Sequence, residues 1–108
     1  MREILLDIGF TAPVIHWRGP SPFHFVAIPS AYEGEVSYAA RLASYGWGVV
    51  PVEACIGDTD FRTSLFPKAG GYLLPLRIAV RRAEAIALGD AIHVRMRITG
   101  RDAGSPTP

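Results

Sequence analysis

Two stretches of this chain run through the same order of elements, and neither has enough strands to cover its own apolar face. Phe23 to Ile28 reads as a strand, followed by Pro29, a short helix, Gly46 and a strand from Val49 to Ile56. Tyr72 to Leu74 reads as a strand, followed by Pro75, a helix, Gly89 and a strand from Ile92 to Ile98. Two such halves, related by a pseudo-two-fold axis, can interleave their hairpins into a closed barrel and leave no sheet edge bare. The expected fold is therefore mainly β with two short helices: a closed β-barrel with a pseudo-two-fold internal repeat.

The local patterns support these elements. Ile4, Leu6, Ile8 and Phe10 alternate with Glu3, Leu5 and Asp7, the period of a half-buried strand. Ala12-Pro13 is expected to interrupt this strand before Val14 to Arg18 resume it, and Gly19-Pro20-Ser21-Pro22 makes a rigid turn. Ser30 stands three residues before Glu33, the spacing of a capping box, and Val36, Ala39, Ala40 and Ala43 follow at helical spacing. Gly46-Trp47-Gly48 closes that helix. Pro51 inside the next strand predicts an edge or a bulge. Gly57 to Asp60 predicts a hairpin turn into Phe61–Phe66. Pro75 fits the first turn of a second helix, whose stripe is Leu76, Ala79, Val80, Ala83 and Ile86. Ile92, Val94, Met96 and Ile98 then alternate with His93, Arg95 and Arg97, an amphipathic strand.

With 108 residues the chain makes one domain, expected over 1–100, with a loose Gly-, Ser- and Pro-containing tail over 101–108. Cys55 stands alone, which excludes an intrachain disulfide and a four-thiolate zinc site. Two acids among the first seven residues speak against a secretory leader, and Gly and Pro break every apolar run short of a membrane helix. A cytoplasmic protein, monomer or weak homodimer, with no membrane partner is expected. Charge is uneven: residues 1–60 carry three basic and seven acidic groups, net −4, whereas 61–108 carry eight basic and three acidic, net +5. The imbalance marks either an anion-facing side or two halves that attract each other.

Two resemblances rest on particular residues. Gly71, Pro75, Arg81, Gly89-Asp90, Ile92 and Val94 resemble the swapped-hairpin half-barrel of AbrB-type transcription regulators, in which two chains form a DNA-binding double-split barrel. A longer match runs through Phe23-His24-Phe25-Val26, Ile28-Pro29, Gly46-Trp47-Gly48, Thr63-Ser64-Leu65-Phe66-Pro67, Gly70-Gly71-Tyr72-Leu73-Leu74-Pro75-Leu76, Val80-Arg81-Arg82-Ala83-Glu84 and Gly89-Asp90. Together these look like a bacterial domain-of-unknown-function family. The resemblance implies a single-chain double-split barrel, found in some members beside a bacteriocin-protection (YdeI/OmpD-associated) module, and implies no activity. Arg77 stands where lysine is expected, and this sequence lacks the neighbouring module.

The residues that could carry chemistry fall into two groups. Arg62, Ser64, Lys68, Tyr72, Arg77 and Arg81 gather cations, hydroxyls and the Gly70-Gly71 donors, a set suited to a carboxylate or phosphate. The competing reading is a glycine hinge among solvated arginines. The Walker spacing is absent, so this is not a P-loop. His24, in a strand beside Val26 and Ile28, is either a general base or a barrel-mouth histidine bonded to backbone, and the second is favoured. Trp47, with Trp17 and Tyr72, could line a pocket or plug a barrel end. Ser64 lacks a nucleophile elbow. His16, His24 and His93 show no ligand spacing, so neither metal nor cofactor is expected.

The first expectation for function is a small-molecule or anion-binding barrel, with catalysis left open. The candidate ligand-binding residues are His24, Trp47, Arg62, Ser64, Lys68, Tyr72, Arg77 and Arg81. The alternatives are an AbrB-like nucleic-acid-binding barrel, disfavoured by a net charge of +1, and a protein-interaction module.

Overall fold

The computed structural model describes residues 4–17, 23–43, 50–68 and 70–100, with backbone alone at Trp17, Phe23 and Ala43. Trp47 with its flanking glycines, the turn at 19–22 and the tail at 101–108 lie outside the described residues. Six strands form a closed antiparallel barrel: β1 (Ile4–Trp17), β2 (Phe23–Ala27), β3 (Val50–Ile56), β4 (Thr59–Lys68), β5 (Gly71–Leu76) and β6 (Ala91–Thr99). They are ordered β1-β2-β5-β4-β3-β6 around the ring. A 3-10 turn at Ser30–Tyr32 leads into helix α1 (Glu33–Ala43), and helix α2 covers Ile78–Ala83.

Two long strands close the ring by changing partners. β1 runs beside β6 from Ile4 to Pro13 and beside β2 from Val14 to Trp17. β4 runs beside β3 from Thr59 to Leu65 and beside β5 from Phe66 to Lys68. The ladder is unchanged when β1, β2 and β3 are exchanged with β4, β5 and β6, since β2–β5 and β3–β6 also pair. That exchange is consistent with the repeat expected from the sequence.

The strand prolines explain where partners change. Pro13 pairs only with β6, Pro51 only with β4, Pro67 only with β5 and Pro75 only with β2. Proline has no N–H to give a second neighbour, so it is tolerated where a strand has one partner. Pro51 thus lies on a one-sided stretch, as its position in the sequence suggests. Two other expectations need correction. Pro13 does not interrupt β1, which continues through it, and Pro75 belongs to β5 rather than to the first turn of α2.

The interior is set by alternation. Ile8, Phe10, Ala12 and Val14 of β1 meet Ile92, Val94, Met96 and Ile98 of β6, together with Val26, Val50, Val52, Leu65 and Leu74. Leu65, Leu74, Val26, Val94 and Ile98 have no measurable exposure. Ile4 does not join this face: a register shift between Ile4 and Leu6 leaves it exposed. α1 closes the end of the barrel where β1 begins, burying Val36, Ala39 and Ala40 as their spacing predicts. Ser30 forms no capping box; it opens the 3-10 turn behind Pro29, which makes no side-chain cap bond. α2 covers the opposite end but is far shorter than its apolar stripe suggests. Only Val80 is buried in it, while Ala79 and Ala83 are exposed.

The hairpin between β3 and β4 is a two-residue loop, Gly57-Asp58, and only Gly57 has positive φ (59°), the pattern of a II′ turn. A Cβ at Gly57 would also collide with the Glu84 carboxylate, which accepts a 2.6 Å hydrogen bond from Thr59 Oγ1. The end of α2 is thereby tied to the start of β4.

These one-sided prolines generate a test. Pro51→Ala is expected to shift stability by no more than about 1 kcal/mol. Ala54→Pro, at a position paired with both Phe61 and Met96, is expected to remove about 3 kcal/mol or more. Urea denaturation of the two variants measures both; equal losses would refute the assignment of proline to one-sided stretches.

Candidate functional site

The outer face of the β1–β6–β3–β4 side carries a continuous row of charge. Register places Asp7 opposite Arg97, Arg97 opposite Glu53, and Glu53 opposite Arg62, a row of alternating sign across four strands. Asp7 accepts hydrogen bonds from Arg95 at 3.3 Å and Arg97 at 3.4 Å, and Glu53 lies 3.5 Å from Arg62. With Asp60 these residues line an open concavity of about 510 Å³ that also includes Cys55. Three carboxylates face three guanidiniums, so the concavity is neutral and its charges already have partners. These pairs are substantially exposed and each is worth little. The Cys55 thiol donates to the Gly57 carbonyl at 3.4 Å. Its cross-strand partner Asp60 and partial burial raise its pKa, which suppresses the thiolate. The carboxylate that keeps this cysteine in its thiol form is Asp60 across the strand, rather than Glu53 two residues away on β3.

A second cluster forms at the barrel end covered by α2. β1 and β2 pair His16 directly opposite His24, with ring centroids 5.6 Å apart and edge-to-face. On its other side His24 pairs with Leu76 of β5. The Leu76 carbonyl accepts a 3.2 Å hydrogen bond from Nε of Arg81, so α2 sets the guanidinium at the residue facing His24. His24 shares the inward-facing parity of Val26 but lies at the end of the strand, where it is half-buried. Its Nδ1 is buried and makes no hydrogen bond to the described residues. Burial of the ring, then the positive charge of Arg81, then His16, lower its pKa below the usual 6.5.

The candidates drawn from the sequence therefore separate. His24 and Arg81 come together, and Arg77 stands at the start of α2 on the same end of the barrel. Lys68 and Tyr72 lie at the other end, across the β4–β5 hairpin, where Glu33 approaches Gly71. β5 carries Tyr72 away from Arg77 by about 17 Å at strand rise. Arg62 and Ser64 lie on the outward face of β4, and Arg62 belongs to the charge row. Sequence reasoning missed His16. Its signal was available: His16 and His24 stand four residues either side of Pro20, so a hairpin centred on that position sets them opposite each other. Among the described residues no cluster of three or more His, Cys, Asp or Glu side chains could hold a metal ion. No described helix is long and apolar enough to cross a membrane.

A closed six-stranded antiparallel barrel with a helix over each end, and its polar cluster at one rim, is the class of protein these features define. The chain belongs to the family described as Domain of unknown function (DUF1905), whose model matches residues 10–96. No curated protein matches the chain.

The lowered His24 pKa makes stability depend on pH. As pH falls below 6.5 the unfolded chain binds a proton that the folded protein does not yet accept. Stability should therefore decrease from neutral pH downward and level off beneath the folded pKa. Urea midpoints between about pH 7.5 and 5 are expected to fall in the parent protein and to fall less in His24→Gln; parallel slopes would contradict the assignment.

Proposed function

We propose that this barrel binds a small anionic molecule at the α2 end, where His24 and Arg81 meet. The observation that carries the reading is the contrast between the two charged regions. On the outer face every described arginine has a carboxylate beside it, Asp7 for Arg95 and Arg97 and Glu53 for Arg62. At the α2 end the charged neighbours acting on His24 are Arg81 and His16, and neither is an acid. The nearby carboxylates are engaged locally, Glu84 with Thr59 Oγ1 and Asp90 with the backbone N–H of Ala87 at 2.8 Å. A guanidinium with no carboxylate beside it among the described residues, next to a half-buried imidazole, suits a carboxylate or phosphate oxygen. Catalysis stays open: an imidazole kept neutral can accept a proton, but geometry alone names no reaction. The same reading takes the protein as a cytoplasmic bacterial one, built as a single-chain double-split barrel.

The AbrB-like alternative draws on the basic outer strand His93, Arg95 and Arg97. Asp7 sits on both arginines, and Thr11 Oγ1 lies 3.1 Å from His93 Nδ1. A face whose cations are already paired is a poor counter-ion for a phosphate backbone.

Thermal-shift screening with a panel of small anions tests the anion reading. A concentration-dependent rise in Tm is expected, following ligand linkage. Arg81→Ala should lose the shift and Arg62→Ala should keep it. A flat response across the panel, or loss with Arg62→Ala but not Arg81→Ala, would overturn the site.

A further inference from the structure

We propose that the anion held at the α2 end is a carboxylate, gripped by the Nη groups of Arg81 while His24 donates to it as an uncharged imidazole. This inference rests on the reading of that end as an anion site and adds the class of ligand it selects.

Three features of the geometry lead there. First, Nε of Arg81 is committed to the Leu76 carbonyl. Among the described residues its two Nη groups make no hydrogen bond, which leaves the end of the guanidinium fork free. A fork of two parallel N–H donors matches the spacing of the two oxygens in a planar carboxylate. The bond to Leu76 also fixes the long side chain in place, so less rotamer entropy is lost on binding.

Second, the buried Nδ1 of His24 has no partner among the described residues. An imidazolium carries an N–H on both nitrogens, and one of them would be buried here without an acceptor. The arrangement that leaves least unsatisfied is a bare Nδ1 and a protonated Nε2, a neutral ring that still has one donor to offer. The groups facing that ring reinforce this state. His16 lies opposite on β1, Arg81 approaches from α2, and Leu76 of β5 contributes backbone and an apolar side chain.

Third, the charge available is therefore close to one. Arg81 supplies it, while Arg77 is exposed in the segment leading into α2, where solvent screens it. A single fixed positive charge with a neutral donor complements a monoanion. A dianionic phosphate would be matched better by a second cation, which at this place only a protonated imidazole, His24 or its neighbour His16, could provide.

The test is an NMR titration of isotope-labelled protein with acetate, butyrate and inorganic phosphate, at about pH 8 and about pH 6. The expected result is that a carboxylate binds about tenfold more tightly than phosphate at the higher pH. The His24 ring ¹⁵N shifts should stay those of the neutral Nε2–H form when ligand binds at the higher pH. Arg81→Lys, which keeps the charge and loses the fork, should weaken carboxylate binding by about tenfold. Tighter binding of phosphate at the higher pH, or His24 taking on imidazolium shifts when ligand binds there, would overturn this inference and leave the anion site standing. Binding of none of the three probes would overturn both.

Discussion

Val14 and Leu65 stand at the two places where a strand leaves one neighbour and takes up another, and both are almost wholly buried. Each belongs to a long strand shared by both sides of the barrel, so the packing around them is what makes six short stretches of sheet into one closed wall. A sheet of this size left open would expose a row of unpaired donors and acceptors at each margin. Closure removes those margins but forces β1 and β4 to bend and change register partners midway. Proline marks the cost of that bending: Pro13 and Pro67 lie beside the two exchanges, and Pro51 and Pro75 lie where β3 and β5 have lost one of their neighbours.

Much of this was legible in the sequence because alternation survives any arrangement of neighbours. β6 buries Ile92, Val94, Met96 and Ile98 and exposes His93, Arg95 and Arg97, as a period of two demands. The buried stripe of α1 was equally visible. The misread elements share one cause. Proline is a local breaker signal, yet whether it breaks a strand depends on how many partners that strand has, and partners are a property of the closed ring. Hence Pro13 looked like an interruption and Pro75 looked like a helix start. The length of α2 was overestimated for a related reason: Leu76 fits a helical stripe in one dimension, but it is the last inward-facing residue of β5.

The candidate site followed the same division. Arg62 through Arg81 are near one another in the chain, and that proximity suggested a single constellation. Strands convert sequence distance into length, so β4 and β5 distribute those residues along the barrel wall and to both of its ends. The juxtaposition of His24 with Arg81 joins residues on different halves of the chain and depends on β2 pairing with β5. Only topology could place them together. His16 entered with them because a hairpin sets residues equidistant from its turn opposite each other, a signal that needs the hairpin to be recognised first.

Why the proposed site lies at the rim follows from what fills the barrel. Leu65, Leu74, Met96 and Ile98 occupy its axis with essentially no exposure, as expected of a barrel whose interior is just wide enough for side chains. A ligand therefore has no interior to enter. The outer charge row is closed to it as well, since register has set each of those cations against an acid, and a ligand there would have to displace an existing partner. At the α2 end His24 keeps the inward parity of Val26 but stands near the start of β2, where it is half-buried rather than sealed like Val26. Among the described residues Nδ1 of His24 has no hydrogen-bond partner and Arg81 has no carboxylate beside it. A polar pair left unsatisfied at the end of an apolar stack is the feature of this barrel that the packing of its core does not require.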